Sequence, residues 1–231
     1  MDNLYLALIT AIIIICLLYY AGFFSYDRVT VAGFDYHVLR SYDDESEAAQ
    51  RLAEVYSRVL KFLDYERVKY RVGLTKEEVD KLGPGALSYV TSTSGKKYSS
   101  TDIIDHIIYY FNPEKVYEND PNNISGSTSY TIQKGREMYV CLRQKNGTFV
   151  DMNTMMFVVI HEIAHIGAYW TFGHPRDFWS TFGLLLRDAI DSGVYKYDDY
   201  RQSPKKYCSI TITSSPYNPG EPIIGVEDVH D

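Results

Sequence analysis

The spacing of apolar residues along the chain predicts several helices. In residues 43–63 apolar side chains recur every three or four positions and acidic residues crowd the first turn, which is typical of an amphipathic helix. A similar pattern predicts a helix over 101–111. Between these two, Thr75 and Glu78 have the spacing of a capping box, and the short helix that they begin should stop at Gly83.

Alternation of apolar and polar residues predicts strands elsewhere. Residues 68–72 alternate Val and Tyr with Lys and Arg, as in a half-buried strand. Residues 130–133 and 137–143 flank a Lys-Gly-Arg turn and indicate a hairpin. Residues 112–129, which two prolines interrupt, indicate a loop. Together these elements predict an α+β fold with a small antiparallel sheet.

The N-terminal part of the chain differs from the rest, because residues 4–24 carry no charge and are rich in Ile and Leu. As a helix they would extend about 31 Å, close to the hydrocarbon thickness of a bilayer. A cleaved signal peptide is the alternative, but Asp2 stands where basic residues would be expected and no convincing cleavage site follows. We therefore expect a single N-terminal transmembrane helix, with residues 1–26 as the anchor of a single-pass membrane protein.

The orientation of this anchor stays open. Arg28 and Arg40 follow the apolar run and no Lys or Arg precedes it, which favours a domain on the cytoplasmic side of the membrane. Glycosylation sequons at Asn123 and Asn146 would fit the opposite side. The sequence does not choose between these two arrangements.

Residues 153–168 predict a helix that is apolar on nearly all sides and is therefore buried. This helix contains His161, Glu162 and His165. Positions four apart on a helix differ by about 400° of rotation, so the two imidazoles share one face. Burying these polar groups without partners would cost several kcal/mol, and a metal ion supplies the partner. Two histidines at this spacing with an adjacent Glu are typical of a catalytic zinc site.

A catalytic zinc ion needs a third protein ligand. The extended metzincin pattern would need a His where Thr171 stands, and the helix that follows contains no Glu for a thermolysin-like site. The remaining candidates are His174, Asp177, Asp188 and Asp191. We favour His174, because Gly173 permits a tight chain reversal and Pro175 is a favoured first residue of the helix predicted over 176–191.

The stretch HEIAHIGAYWTFGHPRDFWSTF resembles the zinc peptidase families known as WLM and SprT-like. Their members carry the His-Glu-x-x-His pattern, a third His after a Gly, and an aromatic residue four positions later. The matching residues here are His161, Glu162, His165, His174 and Phe178. The likeness extends more loosely over 138–143 and to Tyr207-Cys208, and it is especially to small versions encoded by large DNA viruses. It implies a zincin-like domain with a Zn²⁺ cofactor and a small sheet packed on the motif helix.

We therefore expect residues 27–231 to form one zincin-like metallopeptidase domain behind the anchor. Within this domain, residues 43–112 would be a helical N-terminal part, 128–215 the catalytic core, and 216–231 an irregular tail. The members of these families that act on DNA–protein crosslinks are usually soluble, whereas this chain is acidic and is expected to be anchored, so that substrate class does not carry over.

The net charge bears on the class of partner, and the cysteine content bears on disulfide bonding. The net charge of −7 argues against a nucleic-acid-binding protein, which usually needs a basic face. Of the three cysteines, Cys16 lies in the apolar run. Cys141 and Cys208 either form a pair or stay as two buried free thiols, and we favour the free thiols in a domain of this size.

The predicted reaction is hydrolysis of peptide bonds in a protein or peptide substrate. Zinc held by His161, His165 and His174 would activate a water, and Glu162 would act as general base. The strand over 138–143 would be a sheet edge that pairs with an extended peptide. An oxyanion donor is also needed, and the candidates are Tyr169, Tyr195, Tyr197 and Arg176. The alternative is a catalytically silent, membrane-anchored assembly protein, as in a virion, that retains the zinc site.

Overall fold

The structure is a computed structural model that describes residues 2–20, 25–122 and 128–229. Within these ranges the helices are α1 (Asp2–Tyr20), α2 (Glu45–Tyr70), α3 (Lys76–Leu82), α4 (Ser100–Tyr110), α5 (Met152–Gly167) and α6 (Arg176–Asp191). The strands are β1 (Tyr26–Val31), β2 (Phe34–Leu39), β3 (Leu87–Thr91), β4 (Lys97–Ser99), β5 (Val116–Asn119), β6 (Tyr130–Ile132), β7 (Glu137–Cys141), β8 (Lys205–Tyr207), β9 (Ile210–Ile212) and β10 (Val226–Val229). The fold is therefore a mixture of helices and strands.

The predicted transmembrane helix is wrong. Among the residues that the structure describes, no helix combines the length and the apolarity needed to cross a bilayer. Helix α1 covers residues 4–20 of the predicted span. Residues 21–24 of that span, and the sequon at Asn123, lie outside the described residues. The predictions of a membrane anchor and of a single-pass membrane location are therefore wrong as well.

The largest described sheet is mixed, with the strand order β1-β2-β5-β7-β6. Strands β2 and β7 both run parallel to β5, whereas β1 and β6 are antiparallel to their neighbours. The prediction of an antiparallel sheet is wrong because β5 lies inside the segment that was expected to be a loop. Its Glu118 is buried and pairs with the buried Arg143 at 2.6 Å, so the charge that hid the strand in the sequence is neutralised inside the fold.

Helix α2 is longer than predicted and includes most of the segment expected to be a strand. Its buried residues follow a helical spacing that continues to Tyr70, which is 2% exposed. The next residue, Arg71, has a left-handed backbone with φ 59° and ends the helix. Of the alternating apolar residues, Val68 is exposed on α2, Tyr70 is buried at its last position and Val72 lies beyond its end, so the alternation did not mark a strand. The capping box of α3 is confirmed, since Thr75 N–H donates to Glu78 Oε2 at 2.8 Å.

Helix α5 lies at the centre of the core and agrees with the predicted helix to within one residue at each end. It packs against α4 and α6 and touches β6, β7 and β8. Asp151 caps it, accepting the Thr154 N–H at 3.0 Å. Helix α6 begins and ends where the sequence predicted, at Arg176 and Asp191. The two helices that frame the candidate site are thus the elements that local sequence specifies best.

Two smaller sheets complete the described fold. In one, β10 and β4 flank β3, so a strand forms within the C-terminal segment that was expected to be irregular. In the other, β8 and β9 form a hairpin. A disulfide between Cys141 and Cys208 ties this hairpin to β7 across a sequence separation of 67 residues. The expectation of two free thiols is therefore wrong, and the pairing fixes one wall of the cleft described below.

Candidate metal centre

Two helices bring three histidines to one point. His161 and His165 lie one turn apart on α5, and His174 lies two residues before the start of α6. The Nε2 atom of His174 is 3.0 Å from that of His161 and 3.1 Å from that of His165. All three ligand atoms lie within 4.8 Å of one another. The structure thus groups the three histidines that the sequence singled out.

The three imidazole donors and two of their separations are compatible with a metal ion such as zinc. Zinc binds imidazole nitrogen at about 2.0–2.1 Å, so two nitrogens on one tetrahedral ion lie about 3.3 Å apart. The observed separations of 3.0 and 3.1 Å differ from this value by a few tenths of an ångström. Gly173 has φ 68°, a left-handed conformation that lets the chain turn sharply before His174. The residues present therefore fit a three-histidine metal site.

One aromatic ring supports all three imidazoles. The ring of Phe178, in the first turn of α6, lies 4.8 Å from that of His161, 4.3 Å from that of His165 and 4.7 Å from that of His174, between centroids. Phe178 itself is fully buried. This contact orients the three rings together, and it gives a physical role to the aromatic residue that the family resemblance picked out.

The histidines are held in the form that binds metal. Burial, with neighbouring histidines adding to it, lowers the pKa of His161 to about 3 and that of His165 to about 4. Burial also lowers the pKa of His174. In the metal-free chain all three rings are therefore neutral near pH 7, and a neutral imidazole has a lone pair available for a cation.

Glu162 lies beside the histidines and is buried from bulk water, with 5% of its surface exposed. Burial raises the pKa of its carboxyl group to about 8 in the metal-free chain. A bound dication would favour the ionised form and act against this shift. The carboxyl group still reaches the cleft, because Glu162 lines it together with the three histidines.

The aspartates that competed with His174 for the third ligand position are occupied elsewhere. Asp177 Oδ1 accepts hydrogen bonds from the backbone N–H of Thr93, at 2.8 Å, and from the Thr93 hydroxyl, while its Oδ2 accepts from Trp170 Nε1 at 3.2 Å. Asp188 binds Lys69 and other groups in the core, and Asp191 lies 3.6 Å from the same lysine. The structure therefore places His174, and none of these carboxylates, at the candidate metal position.

A cleft of 620 Å³ opens over the histidines. One wall is formed by residues 128–131, which include most of β6, and the other by residues 210–214, which include β9. Phe172 and Trp179 also line the cleft, and Phe172 is 85% exposed. Lys134 also lines the cleft. The sequence did not indicate that these residues line the site, because only the fold brings them together.

The prediction that residues 138–143 form a sheet edge is wrong, and the choice of an oxyanion donor stays a prediction. Strand β7 is internal, paired with β5 and β6, so the described edge beside the histidines is β6. The four candidate oxyanion donors, Tyr169, Tyr195, Tyr197 and Arg176, are absent from the described lining of the cleft. Tyr195 is buried against Tyr200, and Tyr197 donates to Asn218. A tertiary contact, which the sequence does not display, decides each of these positions.

Comparison with known proteins places relatives of the chain in large DNA viruses. An uncharacterized protein of Acanthamoeba polyphaga mimivirus is 39% identical over 98 residues, which is 42% of this chain and 48% of that protein. Uncharacterized proteins of Invertebrate iridescent virus 6 and Invertebrate iridescent virus 3 are 34% and 35% identical, over 36% and 38% of this chain and 46% and 53% of their own lengths.

The chain thus spans about half the length of the curated relatives that it matches. No protein-family model matches the chain, and no solved structure matches it either. The similarity supports a viral origin, in line with the expectation from the sequence, while the resemblance to WLM and SprT-like peptidases stays a prediction. What the comparisons establish is that this chain has relatives among uncharacterized proteins of large DNA viruses.

Proposed function

We propose that this chain is a zinc-dependent metallopeptidase related to the WLM and SprT-like families, with Glu162 as its general base. One observation carries the proposal: three neutral imidazoles converge beside a buried carboxyl group at the floor of an open cleft. A purely structural zinc site is usually closed by four protein ligands, whereas a catalytic site has three and keeps a position open. The arrangement at His161, His165 and His174 is of the second kind among the described residues.

The chemistry follows from the positions of the side chains. A zinc ion held by the three histidines would supply Lewis-acid chemistry, polarising the scissile carbonyl and lowering the pKa of a water. Glu162 lines the same cleft, so its carboxylate would take a proton from the attacking water and deliver it to the leaving amine. Phe178 would hold the three imidazoles in one orientation throughout this sequence.

The shape of the cleft favours an extended peptide as substrate. Strand β6 lies on one side and β9 on the other, each paired on one edge only among the described strands. An extended peptide between them would find backbone hydrogen-bond partners along β6, as in β-augmentation. The cleft volume of 620 Å³ is within the range of sites that accept small ligands or several side chains of a peptide.

A digestion experiment with a peptide library tests the proposal. Purified protein is loaded with zinc, incubated with the library, and compared with the same protein after chelation and after zinc is added back. We expect cleavage that the chelator abolishes and zinc restores. Metal analysis of the protein identifies the ion, because other divalent ions such as Cu²⁺ or Ni²⁺ also bind imidazole sites.

Two histidine variants provide the matched control. His174→Ala should lose both zinc binding and cleavage, while His37→Ala, on the far strand β2, should keep both. Full zinc content in His174→Ala would remove His174 from the ligand set. If the unaltered chain binds equimolar zinc and cleaves no peptide, this result would contradict the peptidase proposal and favour a non-catalytic assembly role.

A further inference from the structure

A second cavity adjoins the cleft on the far side of Trp179. It has a volume of 410 Å³ and shares two lining residues, Trp179 and Ser214, with the cleft over the histidines. The indole ring of Trp179 lies 5.7 Å from the ring of His174 and 6.2 Å from that of His161, between centroids. One aromatic ring therefore separates this cavity from the candidate metal position, which is the relation expected of a side-chain subsite and the reacting centre.

The walls of the second cavity are mainly apolar and are held in place. Pro216, Ile223 and Ile224 line one side of it. The hydroxyl of Ser180, on α6, donates to the carbonyl of Ile224 at 2.6 Å and so fixes this C-terminal segment against the helix. Ile223 is buried, which closes the floor. An apolar cavity formed by such fixed elements suits the aliphatic part of a side chain.

The charge at this cavity has the sign opposite to that of the chain as a whole. Of the described residues that line it, Arg176 is the only charged one. One guanidinium nitrogen of Arg176, Nη2, donates to the carbonyls of Ser92 at 3.1 Å and Thr91 at 3.4 Å, which orients the group. None of the ion pairs among the described residues includes Arg176. The neighbouring Asp177 carboxylate instead binds Thr93 and Trp170.

We propose that the second cavity is a carboxylate-binding subsite of the peptidase cleft and that Arg176 determines this specificity. The inference rests on the proposed peptidase function. An exposed arginine that forms no ion pair with any described residue, in a chain of net charge −7, is complementary to a carboxylate on a peptide that reaches past Trp179. The carboxylate belongs to an Asp or Glu side chain of the substrate or to its C-terminus, on a residue close to the scissile bond.

Matched peptides test the subsite. Once a library gives a cleaved sequence, each position near the scissile bond is made as Glu and as Gln, and a second pair ends in a free carboxylate or an amide. We expect one position at which the carboxylate raises kcat/KM by about tenfold, an advantage that shrinks as salt is added. In Arg176→Gln this ratio should fall to about one. The Glu/Gln pair and the C-terminal pair show which source of carboxylate the cavity takes.

Arg136→Gln is the control, because Arg136 is also exposed, is outside every ion pair of the described residues, and lies in the turn between β6 and β7. This variant should keep both the activity and the carboxylate preference of the unaltered chain. The proposal is overturned if no position shows a preference, or if Arg176→Gln retains it.

A binding measurement separates this inference from the peptidase proposal. Calorimetry on zinc-loaded Glu162→Gln compares Glu with Gln peptide pools, and free with amidated C-termini, so this measurement requires no cleaved sequence. One outcome would separate the two proposals: the unaltered chain cleaves no peptide, Glu162→Gln binds acidic peptides about tenfold better than amide peptides, and adding Arg176→Gln removes that difference. This outcome would support the subsite and contradict the peptidase function. Equal binding of acidic and amide peptides would overturn the subsite, whatever the fate of the peptidase function.

Discussion

The Asp177 carboxylate should hold the loop that carries His174 in place, and replacing Asp177 should weaken zinc binding. Its carboxylate accepts from Thr93, on the loop after β3, and from Trp170, four residues before His174. The Trp170 ring is stacked on that of Tyr98, with 3.7 Å between centroids, so Trp170 is itself held against β4. The chain on each side of His174 is therefore tied to the same carboxylate.

The expected loss of zinc affinity follows from the hydrogen bonds that the substitution removes. Asp177→Asn can still accept from Thr93 but presents an N–H₂ group to the indole N–H of Trp170, so one half-buried donor loses its acceptor at a cost near the lower end of about 1–3 kcal/mol. If that cost appears as disorder of the loop, zinc affinity falls about tenfold, within the range of about 10–100-fold seen for residues that orient metal ligands. Asp177→Ala loses all three bonds and should weaken zinc binding further.

The assay is a titration with a zinc chelator of known affinity, combined with urea unfolding of the metal-free proteins. Unfolding of the metal-free chain shows how much of the effect is general destabilisation, which the zinc titration alone would not separate. Asp105→Asn is the matched control, since Asp105 is exposed on α4, and it should bind zinc like the unaltered chain. Unchanged zinc affinity in Asp177→Asn would refute the anchoring role.

Three further predictions concern stability. Replacing Cys141 and Cys208 by Ala should lower the free energy of unfolding by about 4 kcal/mol, because the bridge closes a loop of 67 residues. Burial and the Asp188 charge raise the pKa of the Glu66 carboxyl group in the native state, so stability falls as pH rises above the ordinary pKa of 4.5. Glu66→Gln should therefore be more stable than the unaltered chain near pH 7, and this difference should vanish in acid. Gly135→Ala should destabilise the chain by about 1–3 kcal/mol, because its Cβ would lie 2.4 Å from Ile166 on α5.

Urea unfolding checks all three, each with its own control. For the disulfide, the unaltered protein with and without reductant should reproduce the difference, and identical midpoints would contradict the bridge. For Glu66, a stability difference that does not change between acid and neutral pH would contradict the raised pKa of the native carboxyl group. For Gly135, the control is Gly147→Ala, which has a similar positive φ but 3.7 Å to its nearest neighbour, so an equal loss in both variants would contradict the steric argument.

Local patterns predicted the elements that frame the site, because those elements are stabilised locally. Helices α5 and α6 have strong apolar faces, and the two histidines one turn apart specify their own geometry. The position of His174 followed from Gly173 and Pro175, whose backbone preferences act within a few residues. These predictions required no knowledge of distant partners, which is why the structure agrees with them.

The features that sequence patterns missed all depend on distant partners. Strand β5 was hidden because Glu118 appears polar in the sequence and becomes neutralised only by Arg143. The pairing of Cys141 with Cys208 depends on where the hairpin of β8 and β9 packs. Likewise, β6 is the described edge beside the histidines because β5 occupies the other side of β7. In each case a long-range contact decides between two locally reasonable structures.

The most direct test of the central claim compares the unaltered chain with Glu162→Gln, both loaded with equimolar zinc and matched in folding by circular dichroism. The variant keeps the size and most of the polarity of the side chain but cannot accept the proton. We expect the unaltered chain to cleave peptides from the library, and the variant to retain zinc while its kcat falls by about 10²–10⁴-fold. Equal cleavage by the two proteins, or no cleavage by the zinc-loaded unaltered chain, would contradict the account.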